Sequence, residues 1–233
     1  MTSNDNGTRA AGMATDMDII RRVLAGDTAS FELIMRRYNS RMYRIARSVL
    51  RNDADAEDVV QDAYIRAYEH LSGFEGKGAF SAWLSKIALN EALGRLRGAD
   101  AAKNQISFDD PEGSEEANYM ANLISSLPSP EQNVARGEVR HLLESAIDAL
   151  PDAYRMTFIL CGVEEMSVAE TAECLDVEPA TVKTRYHRAR NILRQQLSGL
   201  VDTSAGAVFS FDGERCDRIV SGVFLRLESR KQL

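Results

Sequence analysis

The sequence is poor in the residues on which disulfide-rich and metal-binding proteins depend. It has three cysteines and three histidines in 233 residues, and Cys161, Cys174 and Cys216 have no closely spaced cysteine or histidine partner. Close spacing is the usual signature of a disulfide framework or a zinc site. We therefore expect reduced, mostly buried thiols, with no metal and no other cofactor.

Long apolar runs and catalytic motifs are also missing. No stretch approaches the ~20 apolar residues of a membrane span, and the polar residues 1–18 lack the apolar centre of a signal peptide. The sequence holds no P-loop, dinucleotide fingerprint or G-x-S-x-G elbow. We expect a cytoplasmic protein that is not an enzyme and has no small-molecule substrate.

Apolar residues recur at steps of three and four, the spacing of one helical face, and no segment shows the alternation of a strand. The pattern predicts helices at about 16–25, 31–49, 59–71, 80–97, 139–150, 151–161, 167–175 and 179–197. The fold class is therefore all-α, with two small helical domains joined by a flexible acidic linker. The predicted bounds are a first domain at 16–98, the linker at 99–135, a second domain at 136–200 and an extension at 201–233.

Charge is unevenly distributed along this acidic chain, whose net charge is -7. Residues 99–131 carry seven acids against one lysine, which with three prolines is typical of a flexible linker. Residues 179–197 carry five basic side chains and no acid. Because local potential decides where a polyanion docks, the basic stripe remains a candidate nucleic-acid surface.

The basic stripe follows the sequence signals of a helix-turn-helix. Ser167 and Glu170 have the spacing of a capping box, Asp176 stands where a tight turn favours a left-handed residue, and Pro179 suits the first turn of a new helix. A short helix, a tight turn and a basic helix is the order of that motif. The alternative is a solvated basic face on an ordinary helix.

If the basic helix enters a major groove, one face must be polar and the other apolar. Val182, Ala189 and Leu193 are predicted to face inward. The candidate contacts to bases and phosphates are Lys183, Thr184, His187, Arg188 and Arg190.

Two further sets of polar residues in the first domain allow more than one interpretation. The acids from Asp53 onward begin like a calcium loop. The pattern then fails, because the sixth position is Asp58 instead of glycine and the twelfth is Tyr64 instead of glutamate. These acids fit better as favourable charge at a helix N-terminus. The exposed edge of Asp58, Gln61, Asp62 and Arg66 could bind a protein or simply be solvated. On the next helix Trp83 is predicted to lie in the core, and Asn90 could read a base or be solvated.

Four segments resemble domains 2 and 4 of extracytoplasmic-function sigma factors of bacterial RNA polymerase. They are DVVQDAYIRAY at 58–68 and FEGKGAFSAWLSKIALN at 74–90 for domain 2, and ALPDAYR at 149–155 and ATVKTRYHRAR at 180–190 for domain 4. The segments occur in the family's order across roughly residues 16–197.

The resemblance implies a sigma factor that directs transcription initiation at a stress- or envelope-responsive regulon. It places Asp58, Gln61, Asp62 and Arg66 against the clamp helices of the polymerase β′ subunit. The -10 element would meet Lys86, Asn90, Arg95 and Arg97, and the -35 element would meet Lys183, Thr184, Arg185, His187, Arg188 and Arg190. Domain 4 would also bind the β flap, and an anti-sigma factor would be a further partner.

Outside the two domains, the apolar spacing of Ile219, Val220, Val223, Phe224 and Leu227 predicts an amphipathic helix that packs on domain 4 or on a partner. Two rival functions remain. A stand-alone helix-turn-helix regulator would bind duplex DNA without polymerase, and a metal-dependent enzyme is disfavoured by the failed calcium pattern.

Overall fold

The computed structural model describes four parts of the chain, residues 14–100, 136–197, 211 and 213–231, with only the backbone considered at 99–100, 136–140 and 231. Most of the predicted acidic linker, residues 101–135, lies outside the described residues. So do residues 198–210 and 212 of the segment that leads to the last helix.

The described residues fold as α-helices joined by short turns, with no strand among them, as the apolar spacing predicted. The helices are α1 (Asp16–Leu24), α2 (Phe31–Leu50), α3 (Asp53–Glu69), α4 (Phe80–Asp100), α5 (Arg136–Asp148), α6 (Asp152–Phe158), α7 (Val168–Leu175), α8 (Pro179–Gln196) and α9 (Gly213–Lys231). Across these segments, none of the helices combines the length and apolar character that crossing a bilayer requires.

The first bundle consists of α1 to α4, with α2, α3 and α4 packed on one another. Phe31 lies at its centre, and its ring meets those of Tyr64 and Tyr68 edge to face at centroid distances of 6.1 and 5.3 Å. Helix α3 starts at Asp53, before the apolar face predicted at 59–71 and at the acids that the sequence placed at a helix N-terminus. It starts there because the Asn52 side chain accepts a hydrogen bond from the Asp55 amide at 3.0 Å. The acids of that first turn also favour the positive end of the helix dipole.

The second bundle consists of α5 to α8, and its centre is α6 packed against α8. A π-turn at Ile159–Val163 continues α6, which begins after Pro151 as predicted. Arg155 is 1% exposed and donates hydrogen bonds to the Leu150 carbonyl and to Asp152 at 2.8 and 2.6 Å. Burial of this charge is tolerated because its donors are matched by acceptors.

The two bundles pack against each other, chiefly through α2. The Arg155 guanidinium reaches across to the Ser48 carbonyl of α2 at 2.5 Å, and Arg47 makes two hydrogen bonds to Asp148 at 3.0 and 2.7 Å. On the other side of the contact, α7 lies against α4. The helix-turn-helix therefore sits beside the helix that carries Asn90.

The C-terminal helix α9 packs on α2 and α3 of the first bundle, whereas the sequence suggested packing on the second bundle or on a partner. Its predicted apolar stripe is confirmed, since Ile219, Val220, Val223 and Leu227 are buried. Periodicity shows which face of a helix is buried but not which surface buries it. Here acidic side chains of α3 match the arginines of α9, and a distant match of this kind leaves no local sequence signal.

Candidate nucleic-acid interface

The turn between α7 and α8 forms as the sequence predicted. Ser167 accepts a hydrogen bond from the Glu170 amide at 3.2 Å, and the Glu170 carboxylate accepts one from the Ser167 amide at 2.9 Å. Asp176 ends α7 in the left-handed region, with φ of 55°. Pro179 occupies the first turn of α8. Together these features fix the angle at which α8 leaves α7. Each depends on a few neighbouring residues, so the sequence alone could predict it.

Helix α8 has one buried and one exposed face. Val182, Ala189 and Leu193 are buried as predicted. The exposed side chains of the candidate set are Lys183, Thr184, His187 and Arg190. These four present two cations, a hydroxyl and an imidazole on one surface, the donors and acceptors that contact phosphates and base edges.

The other two arginines of the candidate set do not join that surface. Arg185 is only 8% exposed and lies on the buried side of α8. Arg188 is half-buried and donates a hydrogen bond to the Tyr154 hydroxyl of α6 at 3.0 Å. In this arrangement Arg188 ties α8 to α6.

Contacts within α8 order parts of the exposed face. The Thr184 hydroxyl donates to the Ala180 carbonyl at 3.1 Å, and His187 and Asn191 lie within hydrogen-bond distance at 3.0 Å. The Arg190 guanidinium lies 5.7 Å from the centre of the Tyr186 ring. A side chain held against the protein loses less freedom when it meets a ligand.

On α4, three of the four candidate residues share a stripe. At about 100° per residue, Lys86, Asn90 and Arg97 fall within roughly 40° of one another, whereas Arg95 lies on the opposite side of the helix. Arg95 pairs with Asp55 and Asp58 of α3 at 2.8 and 3.3 Å. The Asn90 side chain is exposed, so its amide donor and acceptor are accessible.

Trp83, near the start of α4, packs at the edge of the core. Its ring stacks on Phe80 at 5.4 Å and lies 5.5 Å from Phe74. The side chain is nevertheless half-exposed.

The candidate edge of α3 divides into two sides. Asp58 and Arg66 pair with Arg95 and Glu91 of α4. Gln61 and Asp62 face α9 instead, where Asp62 pairs with Arg226. The four residues therefore do not form one open surface in this structure.

Sequence reasoning missed the charged contacts between elements. Glu164 is 4% exposed and pairs with Arg41 at 3.1 Å and with Arg44 of α2. The basic side chains of α9 were not singled out either. The sequence shows that these charged residues are present, but pairings between residues more than 100 positions apart require the folded structure.

The cysteines lie in three different settings. Cys174 of α7 is buried, and burial raises the pKa of its thiol to about 12. Cys161 and Cys216 are half-buried. Within the parts of the chain that the structure describes, no three cysteine, histidine or acidic side chains come together as metal ligands.

Comparison with protein families and known proteins gives two matches to family models and a set of full-length relatives. Residues 34–102 match Sigma-70 region 2, and residues 140–193 match Sigma-70, region 4. The chain is 34% identical over 183 residues to the ECF RNA polymerase sigma factor SigW of Bacillus subtilis, covering 78% of this chain and 96% of that protein. It is 31% identical over 190 residues to the ECF RNA polymerase sigma-E factor of Escherichia coli, covering 80% and 96%.

A solved structure shares the fold. It is the sigma factor RpoE in complex with the anti-sigma factor NepR from Bartonella quintana, with a TM-score of 0.54 and 23% identity, covering 76% of this chain and 99% of that one. At this identity the likeness concerns the fold alone.

Proposed function

Because this chain belongs to the extracytoplasmic-function (ECF) family of RNA polymerase sigma factors, we propose that its exposed helix faces divide promoter recognition between them. The protein directs promoter recognition and transcription initiation. It works as a non-catalytic subunit, in the cytoplasm with the polymerase, and serves a stress- or envelope-responsive regulon.

The observation that carries this proposal is the composition of the exposed face of α8. Lys183, Thr184, His187 and Arg190 point outward from a helix whose entry angle is fixed by a capped α7 and a left-handed turn. We assign this face to the -35 element. Lysine and threonine can bond to base edges, and arginine supplies a phosphate contact.

A second face, on α4, is assigned to the -10 element. Asn90 is exposed between Lys86 and Arg97 on one stripe of the helix. An amide offers a donor and an acceptor side by side, which suits the edge of an unpaired base. The flanking cations favour a negatively charged strand.

The α3 edge that includes Gln61 and Asp62 is assigned to the β′ subunit of core polymerase, and the second bundle to the β flap. An anti-sigma factor is the natural regulator of such a protein. The sigma factor of known structure that shares this fold was solved with one, which supports this part of the proposal.

The experiment that tests the function is reconstitution with core polymerase. Purified protein and core enzyme are incubated with sheared genomic DNA, and the 5′ ends of the transcripts are sequenced. We expect starts that lie downstream of shared -35 and -10 sequences and are absent when either component is left out.

Two controls make that experiment decisive. A variant with Lys183→Ala and Thr184→Ala should retain binding to core enzyme, but its transcript starts should no longer lie downstream of a shared -35 sequence. Duplex binding by the protein alone, measured on the same promoters, tests the stand-alone regulator. Tight promoter binding without polymerase, together with no polymerase-dependent transcripts, would refute the sigma-factor proposal.

A further inference from the structure

Helix α9 covers a surface of α3 and buries its own apolar stripe there. Ile219 and Val223 are fully buried, and Val220 and Leu227 nearly so, whereas Ser221 and Leu225 on the opposite face of the helix are exposed. This helix lies beyond residue 193, where the match to the second sigma-factor region ends. It is therefore an addition that the domain 4 fold does not require.

Basic residues of α9 pair with acids along the length of α3. Arg215 and Arg218 both contact Glu57 at 2.9 Å. One to three turns further along, Arg226 pairs with Asp62 and Arg230 with Glu69. Oppositely charged residues in matching order fix the register of α9 on α3.

The middle of α9 rests directly on Gln61. A Cβ atom placed on Gly222 would come within 2.5 Å of the Gln61 Oε1 atom and 2.7 Å of its Cδ atom. The absence of a side chain at position 222 lets the helix backbone approach this closely. While α9 is seated, its backbone therefore blocks access of a partner protein to the Gln61 side chain.

The N-terminal end of α9 is anchored on α2. The Asn39 amide donates to the Cys216 sulfur at 3.1 Å, and Arg36 pairs with Asp217 at 2.8 Å. The Arg215 guanidinium lies 4.2 Å from the centre of the Tyr43 ring. Contacts with two helices of the first bundle distinguish a seated helix from a chain end lying on a surface.

We propose that α9 is an intramolecular cap over the surface through which the first bundle docks on core polymerase. This inference rests on the proposed function, which assigns Gln61 and Asp62 to that docking surface. Both side chains face α9 in the capped state, so α9 and the β′ subunit compete for one site. The surface suits an amphipathic helix with basic side chains, and the chain supplies such a helix itself.

Under this competition, the apparent affinity for polymerase equals the intrinsic affinity multiplied by the fraction of molecules that are uncapped. A cap that is closed in nine molecules out of ten weakens binding about tenfold. Variants that detach α9 without touching α3 should therefore bind core enzyme more tightly. The effect runs opposite to that of damage to the docking surface itself.

The test uses two full-length variants of α9 that carry the same chemical change. In the first, Ile219→Asp and Val223→Asp place two carboxylates in the buried stripe. In the second, Ser221→Asp and Leu225→Asp place them with the same spacing on the exposed face. We expect the first variant to bind core polymerase on the order of tenfold more tightly than the unchanged protein, and the second to bind like the unchanged protein.

Circular dichroism checks that both variants remain folded. If the first variant fails to fold, Arg218→Glu with Arg226→Glu replaces it, because both side chains are about half-exposed and their reversal leaves the apolar stripe intact. That variant should also bind core enzyme more tightly. If the folded variant that disrupts the α9 contact binds core polymerase no more tightly than the unchanged protein, the cap is refuted.

A second measurement follows the cap directly. Cys216 belongs to α9 and is half-buried against Asn39 of α2, so its alkylation, resolved by peptide mass spectrometry, reports whether the helix is seated. We expect core polymerase to accelerate alkylation of Cys216 in the unchanged protein. If core enzyme binds while Cys216 stays as protected as before, α9 remains in place and the cap is refuted. Failure of every variant to bind core enzyme would instead refute the proposed function.

Discussion

Lys183 and Arg190 are both exposed cations on α8, but their surroundings differ. Lys183 lies in the second turn from the start of the helix, the part of a recognition helix that contacts base edges. Arg190 lies about two turns later, with its guanidinium over Tyr186. We therefore expect one to read sequence and the other to contact a phosphate.

Alanine substitutions should separate these two roles. Lys183→Ala should cost about 1–3 kcal/mol of holoenzyme binding on the cognate -35 element and much less on a scrambled one. Arg190→Ala should weaken binding to both alike, and should reduce the slope of binding against log salt by about one unit. The measurement is holoenzyme binding to the two promoters across a salt series. Equal losses on both promoters for Lys183→Ala would make the helix an electrostatic anchor.

Arg185 shows what residue identity alone does not reveal. It follows Val182 by three positions and precedes Ala189 by four, so helix geometry places it on the buried stripe. The family resemblance made it a candidate for DNA contact, yet long side chains often bury their stems. The periodicity that correctly placed Val182 and Ala189 also contained the information needed to place Arg185.

Elements that depend on neighbouring residues were predictable, and α7 is the clearest case. Its capping box needs only Ser167 and Glu170, and both hydrogen bonds form. The position of α9 depends instead on acids of α3 more than 150 residues earlier, such as Glu57 opposite Arg215. Periodicity could predict the helix and its buried face, but the matching surface exists only after α2 and α3 have packed.

The capping box of α7 should contribute measurably to stability. Ser167→Ala should lower the free energy of unfolding by about 1 kcal/mol in a urea titration, because it leaves helix-end amides without a partner. Ser221→Ala is the matched control. It removes a hydroxyl from an exposed position inside α9, where no cap is lost, and should leave stability almost unchanged.

The effect of Ser167→Ala should also depend on pH. Hydrogen bonds from the Ser167 side chain and backbone lower the pKa of Glu170. A carboxyl whose pKa is lowered on folding stabilises the protein above its unfolded pKa, about 4.3, and loses that contribution as the pH falls through the folded value. The difference in free energy of unfolding between the unchanged protein and the Ser167→Ala variant should therefore shrink below about pH 4. An undiminished difference at pH 3 would mean that the Glu170 charge takes no part in the cap.

At the scale of the whole molecule, the two bundles are held together by charged contacts. Glu164 is the most buried acid at this contact, and it binds two arginines of α2. Its backbone carbonyl also accepts a hydrogen bond from Arg41 at 2.8 Å. Because α7 packs on α4 in this arrangement, the two proposed DNA-reading helices lie together on one compact body. We expect the bundles to move apart when these helices contact two separate promoter elements.

Glu164→Gln should favour that separation. The amide has nearly the shape of the carboxylate but not its charge, so Arg41 and Arg44 lose their common counter-ion in a partly desolvated site. We expect a larger radius of gyration in small-angle X-ray scattering at moderate salt, with unchanged helical content.

The matched control for Glu164→Gln is Glu165→Gln, the same change one residue later at an exposed position. This control should scatter like the unchanged protein. High salt should enlarge the unchanged protein only slightly, because the carboxylate of Glu164 is buried and buried pairs are screened much less than exposed ones. If Glu164→Gln leaves the scattering curve unchanged, the apolar and Arg155 contacts hold the bundles together without this acid, and opening must begin elsewhere.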